Sequence, residues 1–139
     1  MVSESFVQKV LAIQPEGVER NVPMSNHTTF QIGGPADLFI TPKEEAVLSR
    51  LVKLCRDSGV PFFLVGAGSN LLVSDRGIDG VVFRLGSGFD RVCVVDQTVE
   101  AGAATTLAKL SKAAQRSALS GLEFASGIPG TLGGAVFMN

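Results

Sequence analysis

Tryptophan and tyrosine are absent from this chain of 139 residues, whose aromatic set is nine phenylalanines. Proteins that hold single-stranded nucleic acid stack its bases on aromatic platforms inside a basic groove. Here 12 lysines and arginines face 13 aspartates and glutamates, the net charge is −1, and the cations are scattered along the chain. Nucleic acid is therefore excluded as a partner. Histidine occurs once, at His27, and a lone histidine without further ligands builds no metal site. The two cysteines, Cys55 and Cys93, stand in apolar runs with no metal or redox spacing between them. Both are expected to be buried free thiols in a reducing cytoplasm. No apolar run approaches membrane-spanning length, and no cationic segment leads into an apolar one near the N-terminus, so neither a membrane segment nor a secretory signal is expected.

What remains is an ordinary globular balance, 45% hydrophobic and 18% charged, enough for one domain with its own core. Its most distinctive stretch is residues 62–73, FFLVGAGSNLLV, in which two apolar runs flank a polar loop without bulky side chains. A dinucleotide fingerprint would place a third glycine where Leu71 stands, and a phosphate-binding Walker loop would need a lysine that is missing. The second apolar run, Leu71 to Val73, predicts a loop that joins two extended segments rather than a strand and a helix. Successive N–H groups around Gly66 and Gly68 would then form an anion-binding nest, with Ser69 and Asn70 adding donors. An ordinary glycine turn explains the same residues, and GxG alone does not separate the two.

In chain order, Ser3 is placed to cap a helix ending near Ile13, with Phe6, Val7, Val10 and Leu11 on one face. Phe30 and Ile32, then Leu38 and Ile40, predict two extended segments around a bend at Gly33, Gly34 and Pro35. Thr41, Pro42 and Glu44 form a capping-box signature before a helix with Val47, Leu48, Leu51, Val52 and Cys55 on its buried stripe and Gly59 at its stop. A strand at residues 78–85 follows, then strands at 92–95 and 99–103 around Asp96 and Gln97. Gly102 and Ala103 leave the last of these bare, as where a ligand or another backbone comes close. Thr105 or Thr106 caps a further helix, stopped by Gly121.

The final stretch, GLEFASGIPGTLGGAVFMN, is the second unusual feature, with five glycines between residues 121 and 134. Residues 131–138 are expected as a short helix whose N-terminal N–H groups near Gly130 offer another anion site. Glu123, without a partner carboxylate, is read as structural. The chain stops at Asn139 straight after AVFM, with no polar tail, which predicts a fragment whose apolar C-terminal edge is covered by a further segment or a partner.

HTTFQIGGPADLF, VGAGSNLLVSD and GLEFASGIPGTLGGAVFMN, in this order and spacing, resemble the N-terminal FAD-binding half of the UDP-N-acetylenolpyruvoylglucosamine reductase family. The resemblance implies an α+β fold, the FAD-binding domain of the vanillyl-alcohol-oxidase (PCMH) type, with two small α/β subdomains and the cofactor between them. It assigns residues 1–20 to an N-terminal helix and lead-in and residues 21–139 to the FAD-binding domain, with the substrate-binding domain beyond. The GAGSN loop, Gly66, Ala67, Gly68, Ser69 and Asn70, is expected around the FAD pyrophosphate. Gly127, Ile128, Pro129, Gly130 and Thr131 are expected along the pyrophosphate, ribitol and flavin, with Gly133, Gly134 and Ala135 passing close to the cofactor. Thr29, Gly102 and Ala103 are carried over to the cofactor site as well.

The family reaction implied is hydride transfer from NADPH to FAD and then to a small nucleotide-sugar substrate, UDP-N-acetylglucosamine enolpyruvate, giving UDP-N-acetylmuramate for peptidoglycan. The family's serine proton donor and its assisting arginine and glutamate lie in segments after Asn139, so no catalytic residue is assigned and this chain alone is expected to turn over nothing. Two other readings stay open on the residues. One is an FAD-linked oxidase or dehydrogenase of the same fold with another substrate. The other is a non-catalytic interaction module that self-associates through its C-terminal edge.

Overall fold

The computed structural model describes residues 1–138 as two subdomains in sequence. The first holds α1 (Glu4–Ile13), β1 (Val18–Pro23), a 3-10 turn (Met24–His27), β2 (Pro35–Ile40), α2 (Glu45–Asp57), β3 (Phe62–Val65) and β4 (Ile78–Arg84). The second holds β5 (Val92–Val95), β6 (Thr98–Ala101), α3 (Leu107–Arg116), a 3-10 segment (Glu123–Gly127) and α4 (Leu132–Met138).

The first sheet runs in the order β1-β2-β4-β3, with β1 antiparallel to β2 and the other two pairs parallel. A parallel strand inside a sheet is covered on both faces and so must be apolar throughout. In β4 this gives Val81, Val82 and Phe83, all fully buried. On one face Leu38, Ile40, Val81 and Phe83 meet Phe6, Val7 and Val10 of α1 and Leu51 and Cys55 of α2. On the other, Phe39, Val82 and Val65 are covered by Met24 and by Val73, which comes from the connection between β3 and β4. Parallel neighbours require a crossover, usually helical. Here residues 66–77 make it without a helix, across the sheet face.

Ser3 caps α1 as expected, its Oγ accepting the Phe6 N–H at 3.3 Å. The first strand, in contrast, is Val18–Pro23 and not the segment around Phe30 and Ile32, which are exposed in a turn where Gln31 has φ 56° and Thr28 Oγ1 donates to the Ile32 carbonyl at 3.0 Å. The capping box before α2 does not form. Thr41 N–H is bound to Gly17 O at 2.9 Å and Pro42 O accepts Gly86 N–H at 2.8 Å, which holds both residues extended and starts the helix at Glu45. Gly59, at φ 64°, ends α2 as expected. The run Leu71 to Val73 pairs with no strand, although Val73 is buried.

In the second subdomain Asp96, at φ 53°, turns β5 into β6, and α3 and the 3-10 segment close a small core of Leu107, Leu110 and Ala125. Thr106 caps α3 through Lys109 N–H at 3.2 Å. β6 ends at Ala101, before Gly102 and Ala103. No helix among the described residues is long and apolar enough to cross a membrane.

The cysteines differ. Cys55 is buried, whereas Cys93, expected to be buried, is exposed, because the two-stranded sheet turns the face that carries Cys93 and Val95 outward. Burial pushes the Cys55 thiol up to about 11. A disulfide reagent at pH 8 should therefore label one thiol in the native protein and the second only after denaturant is added; rapid native labelling of both would contradict this packing.

Candidate functional site

The crossover 66–77 lies against residues 27–35, backbone on backbone. A Cβ on Gly68, at φ 70°, would collide with the His27 carbonyl oxygen, and Thr29 N–H donates to Gly68 O at 3.0 Å. Gly34 N–H donates to Ser74 O at 2.9 Å. The loop is thus fixed by contacts that only bare backbone can make.

Fixing the loop leaves its donors unspent. Among the described residues, the N–H groups of Ala67, Gly68, Ser69 and Asn70 donate to no protein acceptor. Four successive N–H groups without a protein acceptor, around Gly68 at φ 70°, are the donors an anion-binding nest requires. Ala67 and Asn70 are exposed, Gly66 and Ser69 half-buried.

The glycine-rich tail reaches this loop. Ser69 Oγ donates to Pro129 O at 3.2 Å, and Ser69 Oγ also stands 3.4 Å from where a Gly130 Cβ would be. Gly66 faces Thr131 closely enough that a Cβ on it would strike Thr131 Oγ1. Gly127 and Ile128 are exposed, and a Cβ on Gly127 would meet nothing within 4 Å. Thr29, Gly66, Ala67, Gly68, Ser69, Asn70, Pro129, Gly130 and Thr131 thus come together where the subdomains meet.

Other sequence-selected residues face the protein. Gly102 passes the Phe89–Arg91 backbone, donating to Arg91 O at 2.8 Å, so backbone contact accounts for its missing side chain. Gly133 packs on Ala103, donating to its carbonyl at 2.9 Å. Ala135 belongs to the small core of the second subdomain. The expected anion site at the N-terminus of α4 does not form. Its first N–H groups, on Leu132, Gly133 and Gly134, go to Thr105 O at 2.8 Å, Ala103 O at 2.9 Å and Thr131 Oγ1 at 3.3 Å. Glu123 is structural as expected, its carboxylate accepting Gly121 N–H at 2.8 Å.

Two residues beside the loop escaped the sequence reading. Arg84 ends β4 directly opposite Val65, the residue that leads into the loop, and its Nη1 lies 3.3 Å from His27 Nδ1. His27 stacks on Phe39 with ring centroids 4.2 Å apart. Burial, then the Arg84 charge, holds His27 below its usual value, so the ring is neutral at pH 7. A charge closing the apolar run Val81–Phe83, at the carboxyl end where α/β sheets bind ligands, was the available signal.

The chain matches the FAD binding domain family over residues 36–139. It is 54% identical over 117 residues to the UDP-N-acetylenolpyruvoylglucosamine reductase of Heliobacterium modesticaldum, covering 84% of this chain and 37% of that protein. The same-named protein of Anoxybacillus flavithermus is 46% identical over 136 residues, 98% of this chain and 45% of the other. The chain therefore spans less than half the length of these curated relatives. Among solved structures, UDP-N-acetylenolpyruvylglucosamine reductase (MurB) from Thermus caldophilus aligns with TM-score 0.69 and 39% identity, over 86% of this chain and 41% of that one. p-Cresol methylhydroxylase, at 17% identity and TM-score 0.57 over 85% of this chain and 26% of that one, shares the fold alone. The architecture is accordingly the α+β FAD-binding domain of the p-cresol methylhydroxylase type.

The loop geometry separates two glycines that look alike in sequence. Gly68→Ala should lower unfolding stability by about 2 kcal/mol or more, through positive φ and backbone collision. Gly127→Ala should leave the urea midpoint within experimental error. Equal effects of the two would show the described contacts to be wrong.

Proposed function

We propose that this chain, which belongs to the FAD binding domain family, is the FAD-holding part of a UDP-N-acetylenolpyruvoylglucosamine reductase. The observation that carries the proposal is the row of four unpaired N–H groups at Ala67, Gly68, Ser69 and Asn70, in a loop that touches the GIPG segment through Ser69 and Pro129. A dinucleotide pyrophosphate has the charge and the acceptors that such a row requires. The relatives' names supply the substrate class, which the fold by itself does not.

In this reading residues 21–139 form the FAD-binding domain, with residues 1–20, which hold α1 and the first residues of β1, packed on it. Gly66, Ala67, Gly68, Ser69 and Asn70 hold the pyrophosphate by backbone and side-chain donors. Thr29 fixes the loop through its own N–H, and Gly127, Ile128, Pro129, Gly130 and Thr131 border the cofactor on the side of the second subdomain. Gly133, Gly134 and Ala135, with Gly102 and Ala103, complete that side by bringing α4 and the end of β6 close. Bound FAD supplies hydride chemistry, with NADPH as reductant and UDP-N-acetylglucosamine enolpyruvate as acceptor in the complete protein, a cytoplasmic step of peptidoglycan precursor synthesis. The part played by this chain is to bind and orient the dinucleotide. The acid that protonates the substrate is assigned to none of its residues.

Adding FAD to the purified chain should change flavin fluorescence and raise the melting temperature by roughly 10 °C at a hundred times Kd. No change in either signal at high micromolar FAD would defeat the binding role. Asn70→Ala should weaken FAD several-fold with stability unchanged, and an unchanged Kd would remove Asn70 from the site.

A further inference from the structure

Arg84 lacks the partner that a guanidinium usually takes. Among the described residues its charge forms no ion pair, and its side-chain contact is the ring nitrogen of His27 at 3.3 Å. A guanidinium has only donors, so Nδ1 must accept and the His27 proton must sit on Nε2. That state of the ring agrees with its lowered proton affinity beside a cation. The ring is itself fixed by stacking on buried Phe39, and its residue's carbonyl lies against Gly68. His27 therefore ties the guanidinium and the glycine loop to one support.

Position adds to this. Arg84 pairs with Val65, immediately before Gly66, at the carboxyl ends of two parallel strands. Its side chain falls on the same sheet face as that of Val82, two residues earlier, which is the face the crossover covers with Val73. A positive charge in no ion pair among the described residues, with the Glu19 carboxylate near enough to act on His27, thus ends the strand beside the loop of four unpaired N–H groups. The planar fork of a guanidinium matches phosphate oxygens two at a time, where N–H groups take them singly.

We propose that Arg84 is a binding residue for the phosphates of the dinucleotide, and that His27 is the positioning residue that holds its guanidinium toward the glycine loop. This rests on the FAD reading above. The loop supplies shape and neutral donors, and Arg84 supplies a charge beside them.

The test is FAD titration of the full chain and its variants at two ionic strengths. Arg84→Ala should raise Kd about ten-fold and reduce its dependence on salt, while Arg84→Lys, which keeps the charge, should recover part of the loss. His27→Phe keeps the stack on Phe39 but removes the acceptor. It should raise Kd several-fold, and the double variant should be no weaker than Arg84→Ala alone, because the histidine acts through the arginine. If wild type binds FAD and Arg84→Ala binds it equally with the same salt dependence, the FAD reading stands and this inference is overturned. Additive losses in the double variant would overturn the role given to His27. Wild-type protein without FAD affinity would overturn both.

Discussion

The structure depends on one close approach, that of the crossover 66–77 to the backbone of residues 27–35. Two parallel strands need a connection that returns over the sheet, and here the return path is bare chain instead of a helix. Chain without a helix must find other partners for its polar groups and other cover for the sheet. Val73 provides the cover. Gly34 and Gly77 allow the contact, since a Cβ on either would collide with the carbonyl of Asp75 or of Pro35. The part of the crossover nearest β3 is then left with four N–H donors that no protein acceptor takes, which gives the loop its chemical character.

The second subdomain is attached to that loop through few contacts, each with a small side chain or none. Ser69 reaches Pro129 and Gly66 faces Thr131, while inside the second subdomain Gly130 O accepts Leu107 N–H at 3.1 Å. Glycine in the tail therefore has several causes. At Gly133 it is packing on Ala103, at Gly130 a φ of 138°, while Gly127 has open space around it. Glycine content by itself marks close approach without saying what approaches.

Much of this was legible in the sequence because the governing physics was local. Ser3 was a recognisable cap and Thr106 one of two candidates for another, Gly59 a helix stop, Asp96 and Gln97 a hairpin turn, and the motif GAGSN a backbone-dominated loop. What stayed hidden was set by distant residues. The failed capping box at Thr41 follows from bonds to Gly17 and Gly86, and the exposure of Cys93 from which face of a two-stranded sheet the rest of the chain covers. The N-terminus of α4 looked open because its partners, Ala103 and Thr105, lie a helix away in sequence. Arg84 went unnoticed for the same reason, since its interest comes from Val65 and His27 and not from its neighbours in the chain. The family resemblance assigned the loop and tail motifs to one cofactor, and the structure brings the two into contact at Ser69 and Pro129, which no propensity argument foresaw.

The subdomains are consecutive in sequence, and this orders events during synthesis. Residues through Arg84 contain every strand of the four-stranded sheet and both helices of its main core, so this unit can close before α3 has left the ribosome. The glycine loop is then shaped early, against residues already made. Pro129 and Thr131 arrive afterwards and dock onto a finished surface, the second subdomain maturing on a template provided by the first.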